Sequence, residues 1–155
     1  MISENIENVK GLVSRLLSDE IFANMLLYSL EVKNAYLTEV SGKMNKEFFD
    51  SFEEAGAEEY IKWSDVRELF FQSIKGSRLP LKFKIVLLAG SLLIEKIGEA
   101  AEIKNASGNI ASLGVNIYYD RNGLSITSGT SLKLFTMDKS VEKCWDEWVR
   151  KNIVG

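Results

Sequence analysis

Histidine is absent from this chain, and cysteine occurs once, as Cys144. The first absence removes the usual general base near neutral pH. The two together remove the nitrogen and sulfur ligands from which zinc and most transition-metal sites are built, so no metal site is expected. A lone cysteine forms no internal disulfide, which agrees with a reducing compartment. Proline occurs once, as Pro80, which sets the chain apart from linkers and disordered tails. No long hydrophobic run is present. The longest, Ile85 to Ile94, is interrupted by Gly90 and Ser91, whereas a membrane span needs about 20 apolar residues. The opening ISENIENVKGL has neither the basic start nor the apolar core of a secretion signal, so a cytoplasmic location is expected. Neither the phosphate-loop pattern nor the dinucleotide glycine fingerprint occurs, and no cofactor is expected. Catalysis would have to rest on Asp, Glu, Lys, Tyr, Ser or Thr. None of these falls in a recognisable catalytic spacing, and no residue is assigned a catalytic role.

What is present is the composition of a packed protein. A chain of 155 residues with 46% apolar residues is long enough to bury a core without a staple, and one globular domain over 1–155 is expected. The net charge of −3 argues against wholesale nucleic-acid binding, but its distribution is uneven. From Glu47 to Glu68 eight acids face only Lys62 and Arg67, and from Leu69 to Ile94 the basic residues Lys75, Arg78, Lys82 and Lys84 precede the first acid.

Periodicity indicates an α+β fold: a mainly antiparallel sheet of about six strands packed by the N- and C-terminal helices. Ile6, Val9, Val13 and Leu16 repeat at helical spacing, so a helix is expected over 3–18 with Ser3 as its cap. Residues 25–33 and 35–43 alternate as a hairpin. Ser64 is expected to cap a helix burying Val66, Leu69, Phe70 and Ile74 and ending at Gly76. Pro80 then opens a strand from Leu81 to Leu88, and a helix follows from Gly90-Ser91 to about Ile103. Val115, Ile117 and Tyr119 run into the turn Asp120-Arg121-Asn122-Gly123, Leu124 and Ile126 return, and a second turn or bulge at Ser128-Gly129 leads to Leu132 and Leu134 as a three-strand meander. In the closing helix, capped by Asp138 or Ser140, Val141, Cys144, Trp145, Trp148, Val149 and Ile153 form the core stripe. Asp146 with Arg150 and Glu147 with Lys151 are spaced to pair on its surface.

Two groups of residues are candidate sites. Lys75, Arg78, Lys82 and Lys84 would suit an acidic metabolite, a phosphate or a single-stranded nucleic acid, with Trp63 or Phe71 available for stacking. The competing reading is the solvated face of a strand, where lysine discourages sheet-to-sheet pairing. The rings of Phe48, Phe49, Phe52, Tyr60, Trp63, Phe70 and Phe71 are too many for one helix face to bury. Of the adjacent pairs Phe48-Phe49 and Phe70-Phe71, one ring each needs a second surface, either the protein's own sheet or a partner subunit. Three weaker motifs favour plain structural roles. Ser140-x-x-Lys143 lacks its companion motifs, Thr127 to Ser131 is ordinary strand composition, and Asp120 to Gly123 lacks the later ligands of a calcium loop.

With these segments in view, the chain resembles a small uncharacterised family, a domain of unknown function of anaerobic Gram-positive, clostridial-type bacteria. The likeness rests on Lys46-Glu47-Phe48-Phe49, Trp63-Ser64-Asp65-Val66-Arg67, Ile74-Lys75-Gly76-Ser77-Arg78 with Pro80-Leu81-Lys82-Phe83-Lys84, and Ser128-Gly129-Thr130-Ser131-Leu132 through Asp138-Lys139-Ser140 to Trp145-Asp146. It implies a small intracellular domain and no particular chemistry. The expected function is a non-enzymatic binding or protein-interaction domain, with an unknown protein partner or self-association as a dimer. Anion or single-stranded nucleic-acid binding through the Lys75 to Lys84 strip is the alternative, and an enzyme with carboxylate, lysine or tyrosine chemistry the third. Nucleic acid is disfavoured by net charge but stays open, a small anionic ligand fits the strip, and no membrane partner is expected.

Overall fold

The computed structural model describes residues 1–76, 78–133 and 138–155. Along the chain run β1 (Ser3–Ile6), α1 (Val9–Ser18), α2 (Glu20–Ala23), β2 (Leu26–Lys33), β3 (Leu37–Ser41), α3 (Phe52–Ala55), α4 (Arg67–Ile74), β4 (Lys82–Leu88), α5 (Ser91–Ala100), α6 (Ala106–Asn109), β5 (Ile110–Asp120), β6 (Gly123–Leu132) and α7 (Ser140–Val149). Short 3₁₀ turns at Lys46–Phe48 and Trp63–Asp65 and a π-helical turn at Arg150–Val154 complete the order. The strands form one six-stranded sheet in the order β1-β6-β5-β4-β2-β3, with every neighbouring pair antiparallel. The fold is α+β. No helix is long and apolar enough to cross a membrane among the described residues.

Strand alternation gives the sheet two unlike faces. On one, Val32, Phe83 and Tyr119 lie side by side across β2, β4 and β5, followed by the row Leu30, Ile85, Ile117 and Ile126 that continues into β6. These side chains, apart from the partly buried Tyr119, are buried. The helices cover that face: α4 packs on β2, α5 and α6 on β5, and α7 on β6. In α7 the residues Val141, Trp145 and Val149, continued by Ile153 in the terminal turn, are buried at successive i, i+4 steps, while Cys144 and Trp148 flank the stripe half-buried. Arg15 of α1 donates to the carbonyls of Asn152 (2.5 Å) and Ile153 (2.7 Å), satisfying acceptors that the end of a helix leaves without partners.

Several expectations need correction. The N-terminal helix begins at Val9 and not at residue 3, and its cap is Asn8, whose side chain accepts from Gly11 N–H, and not Ser3. Ser3–Ile6 instead adds to the sheet edge as β1, beside β6. Ile2 and Ile6 are compatible with period two as well as with a helix, and a distant strand decides between them. β6 runs without a turn through Ser128 and Gly129 to Leu132, so the last third is a two-strand hairpin. The expected continuation to Leu134 lies outside the described residues. Among the described residues six strands are present, the sixth being β1. Ser64 lies within a 3₁₀ turn, the residue preceding α4 is Val66 with no side-chain cap, and Leu69 is exposed. Asp146 faces inward, accepting from Ser128 Oγ at 2.5 Å, and Arg150 approaches Glu4 at 3.8 Å, in place of the expected pair between these two residues.

Candidate functional site

The second face of the sheet carries polar, half-exposed side chains in register across the strands. Tyr118 of β5 sits opposite Lys84 of β4, Lys84 opposite Glu31 of β2, and Glu31 opposite Glu39 of β3. The neighbouring row is Asn116, Val86, Ser29 and Ser41. Directly opposed residues bring their side chains within about 5.5 Å at Cβ, so each row acts as a continuous strip. One cleft of about 460 Å³ opens over β2 and β3, lined by Tyr28, Glu31, Glu39, Lys43, Tyr60 and Lys84 among others. A shallower one of about 240 Å³ follows over β5 and β6. There Gly114 and Gly129 are cross-strand partners, and two adjacent positions without side chains lower the floor of the face.

A bulge shapes the first cleft. The β2–β4 register shifts between Leu27 and Ser29, which turns Tyr28 outward. The bulged backbone is clasped by Gly42, whose N–H donates to the Tyr28 carbonyl at 3.0 Å and whose carbonyl accepts from Ile61 N–H at 2.9 Å. A Cβ at position 42 would stand 1.7 Å from the Leu27 carbonyl oxygen, so only glycine permits this approach. The clasp draws in the segment around Tyr60, which bridges to Lys43. The Tyr28 and Tyr60 rings then meet at 5.5 Å, tilted by 44°, with the Lys43 ammonium 5.6 Å from the Tyr60 ring centre. Tyr28 is 49% exposed and Tyr118 38%.

The electrostatics of this face oppose those of the whole chain. Lys82 approaches Glu31 at 3.8 Å. At the hairpin end of the sheet a cleft of about 280 Å³ gathers Lys33, Lys82, Asp120 and Arg121. Taken with the first cleft, five cations (Lys33, Lys43, Lys82, Lys84, Arg121) face three acids (Glu31, Glu39, Asp120), on a chain of net charge −3. The titratable groups whose pKa the fold displaces lie elsewhere in structural roles. Asp19 and Asp138 are lowered chiefly by backbone N–H donors, from Ile21 and Ser140 respectively. Burial, then the Glu147 charge, push the Cys144 thiol up, which keeps it protonated and a poor nucleophile. Ser140 N–H donates to the Asp138 carboxylate just ahead of α7, but the N-cap residue of the helix is Lys139, with no side-chain cap, and not Asp138 or Ser140 as expected.

The anticipated basic strip is divided by the fold. Lys82 and Lys84 are on the open face, half-exposed and exposed, whereas Lys75 ends α4 and Arg78 is exposed in the connection to β4. Neither Lys75 nor Arg78 lines the two clefts that Lys82 and Lys84 help to form. Trp63 is not available for stacking. It is fully enclosed (0% exposed), its ring 5.5 Å from that of Phe70 and its N–H donating to the Leu16 carbonyl at 2.7 Å. Phe71, next to the buried Phe70, is exposed. Phe48 is 82% exposed and meets the half-buried Phe49 edge-on at 5.4 Å, and Phe52 (71% exposed) lies under the Lys46 ammonium. Tyr118, Glu31, Glu39 and Lys33 escaped the sequence reading, Arg121 was read only as part of a turn, and Tyr28, expected on the same strand side as Leu26, Leu30 and Val32, is turned out by the bulge. Alternation placed Tyr118 opposite in direction to Ile117 and Tyr119, but which strand lies beside it is not written locally. Thr127 to Ser131 lies in extended strand, as its composition suggests.

Among the described residues no group of three or more Asp, Glu and Cys side chains comes together to hold a metal ion. Neither the curated proteins nor the solved structures contain a match to this chain. Residues 15–154, which leave out β1 and most of α1, match a family of unknown function, DUF5721, and the chain belongs to that family.

Proposed function

We propose that this protein is a non-enzymatic binding module that receives, on the open face of its sheet, a short single-stranded nucleic acid. The observation that carries this reading is the strip Tyr118, Lys84, Glu31, Glu39, with the Tyr28–Tyr60 pair beside it and Lys33, Lys82 and Arg121 at its end. Half-exposed rings on β2 and β5, the strands that flank β4, offer stacking surfaces to unpaired bases, and Lys84 on β4 between them meets a phosphate. The excess of cations on this face supplies attraction that the net negative chain denies elsewhere, so binding is local and favours short strands over long duplexes. Glu31, held by Lys82, and Glu39 disfavour a phosphate directly over β2 and β3, which directs the backbone towards Lys84 and the hairpin end. The test is a fluorescence-anisotropy titration of labelled oligonucleotides of six to ten nucleotides, about the site size of one small fold, at low and high salt. Saturable binding that weakens with salt and is lost in the Lys82→Ala, Lys84→Ala variant supports the reading. Absence of binding at low salt, or equal affinity in the variant, overturns it.

A second reading concerns Phe48 and Phe52, whose rings are the largest exposed apolar surfaces of their segment. They support self-association with a second copy. Sedimentation equilibrium at micromolar concentration should give twice the chain mass for the wild type and the chain mass for Phe48→Ser, Phe52→Ser. A wild-type monomer sinks this reading.

A further inference from the structure

Away from the open face, a cleft of about 550 Å³ lies between α2, the start of α5 and the outer side of α7. Its size falls within the range typical of small-molecule sites, and its walls are mostly apolar. Ile21, Met25 and Leu93 supply aliphatic surface, and Trp148 supplies an aromatic wall. The Trp148 ring is stacked on Trp145 at 5.1 Å and 8°, so the buried ring holds the outer one flat and in place. The polar groups are few: Lys62, Lys96, Glu58, Ser91 and Asn24.

Charge decides what such a cleft accepts. Glu58 is already committed, since its carboxylate accepts from the Ser91 hydroxyl at the first turn of α5. No acid lies in that turn and no side chain caps it, so Glu58 complements the positive end of the helix. Neither Lys62 nor Lys96 is paired with a carboxylate among the described residues. Two ammonium groups thus border an apolar cleft whose one lining acid, Glu58, is held by the Ser91 hydroxyl at the start of α5, which leaves the lining with an excess of positive charge. We propose that this cleft binds an amphiphilic monocarboxylate, its hydrocarbon body against Met25, Leu93 and Trp148 and its carboxylate on Lys62 and Lys96. The site is separate from the open sheet face and stands whether or not that face binds nucleic acid.

The test uses the full chain and two probes of equal chain length, octanoate and octan-1-ol, followed by calorimetry and by tryptophan emission. Octanoate should bind saturably at one site and change the emission, because Trp148 lines the cleft while Trp63 and Trp145 are buried. Octanol, lacking the charge, should bind about tenfold or more weakly, the scale of hydrogen bonds to charged groups. Lys62→Gln, Lys96→Gln should reduce octanoate affinity to that of octanol and leave octanol unchanged. Leu92→Glu, at an exposed position on the rim, should abolish octanoate binding without altering the fold. Failure of octanoate to saturate, equal affinity for the two probes, or an unchanged octanoate affinity in the lysine variant overturns the proposal.

Discussion

The indole N–H of Trp145 donates to the Gly114 carbonyl across 3.0 Å, joining the buried stripe of α7 to the strand position beneath the open-face depression. The bond crosses the sheet from its covered side to the backbone on which the uncovered side is built. Packing of the closing helix therefore bears directly on the shape of the proposed binding surface.

Replacing Trp145 by Ala removes a fully buried ring, its stacking on Trp148 and this hydrogen bond. The expected cost is about 3 to 5 kcal/mol, a large part of a typical domain's stability of about 5 to 15 kcal/mol. Trp145→Phe keeps most of the volume and should lose about 1 to 3 kcal/mol, chiefly from the unsatisfied carbonyl. Urea denaturation midpoints measure both. A midpoint unchanged in Trp145→Ala would show that α7 is peripheral.

Gly42→Ala should be more damaging than the usual glycine substitution in an extended segment. The added Cβ would stand 1.7 Å from a backbone oxygen, and backbone cannot swing aside as a flexible side chain can. The bulge at Leu27 to Ser29 must rearrange, separating Tyr28 from Tyr60. The expected outcome is a loss of at least about 2 kcal/mol in denaturation. Oligonucleotide affinity should fall in whatever folded protein remains.

Asp19 makes stability depend on acid. It ends α1 and caps α2, where Ile21 N–H and then the Arg15 guanidinium hold its carboxyl below the usual carboxylate range. Because the folded pKa is the lower one, its contribution is fully present above the unfolded value and is lost as pH falls through the folded one. Asp19→Asn should therefore differ most from the wild type at neutral pH and converge with it in strong acid. Thermal unfolding from pH 7 down to pH 2 reads this, and a difference independent of pH would show that the carboxylate charge is irrelevant.

Tyr118→Ala tests the stacking surface with little structural effect, since the ring is partly exposed on the uncovered face. Each stacked base contributes about 1 to 3 kcal/mol, so oligonucleotide affinity should fall by about five- to hundredfold. The denaturation midpoint should barely move. Equal loss on mutating Phe71, which lies outside the clefts of the open face, would place the ligand elsewhere.

The strongest local patterns translated directly into elements. Alternation in 25–33, 35–43 and 81–88, and the run on either side of Asp120 to Gly123, became β2 to β6 with slightly shorter bounds, because a strand with one buried face must place apolar side chains at every second position. The stripe Val141, Trp145, Val149, Ile153 became the buried face of α7 and its terminal turn for the matching reason at helical period. Of Phe70 and Phe71 one ring entered the core and the other stayed outside, because adjacent side chains point in different directions on a helix.

Sequence alone determined which residues form most strands and helices, which of their faces turn inward, and the lack of histidine, since these follow from composition and short-range periodicity. Tertiary structure alone decided that residues 3–6 pair with β6, that Trp63 is enclosed, and that Lys82 and Lys84 part from Lys75 and Arg78. It also set Tyr118, Lys84, Glu31 and Glu39 in one row, a relation that joins the β2–β3 hairpin to β4 and β5 from distant parts of the chain. The physical reason is common to all of these. Strand order and register are fixed by hydrogen bonds and packing between segments far apart in sequence, and a single residue's slip or a different neighbour would send the same side chains to other partners.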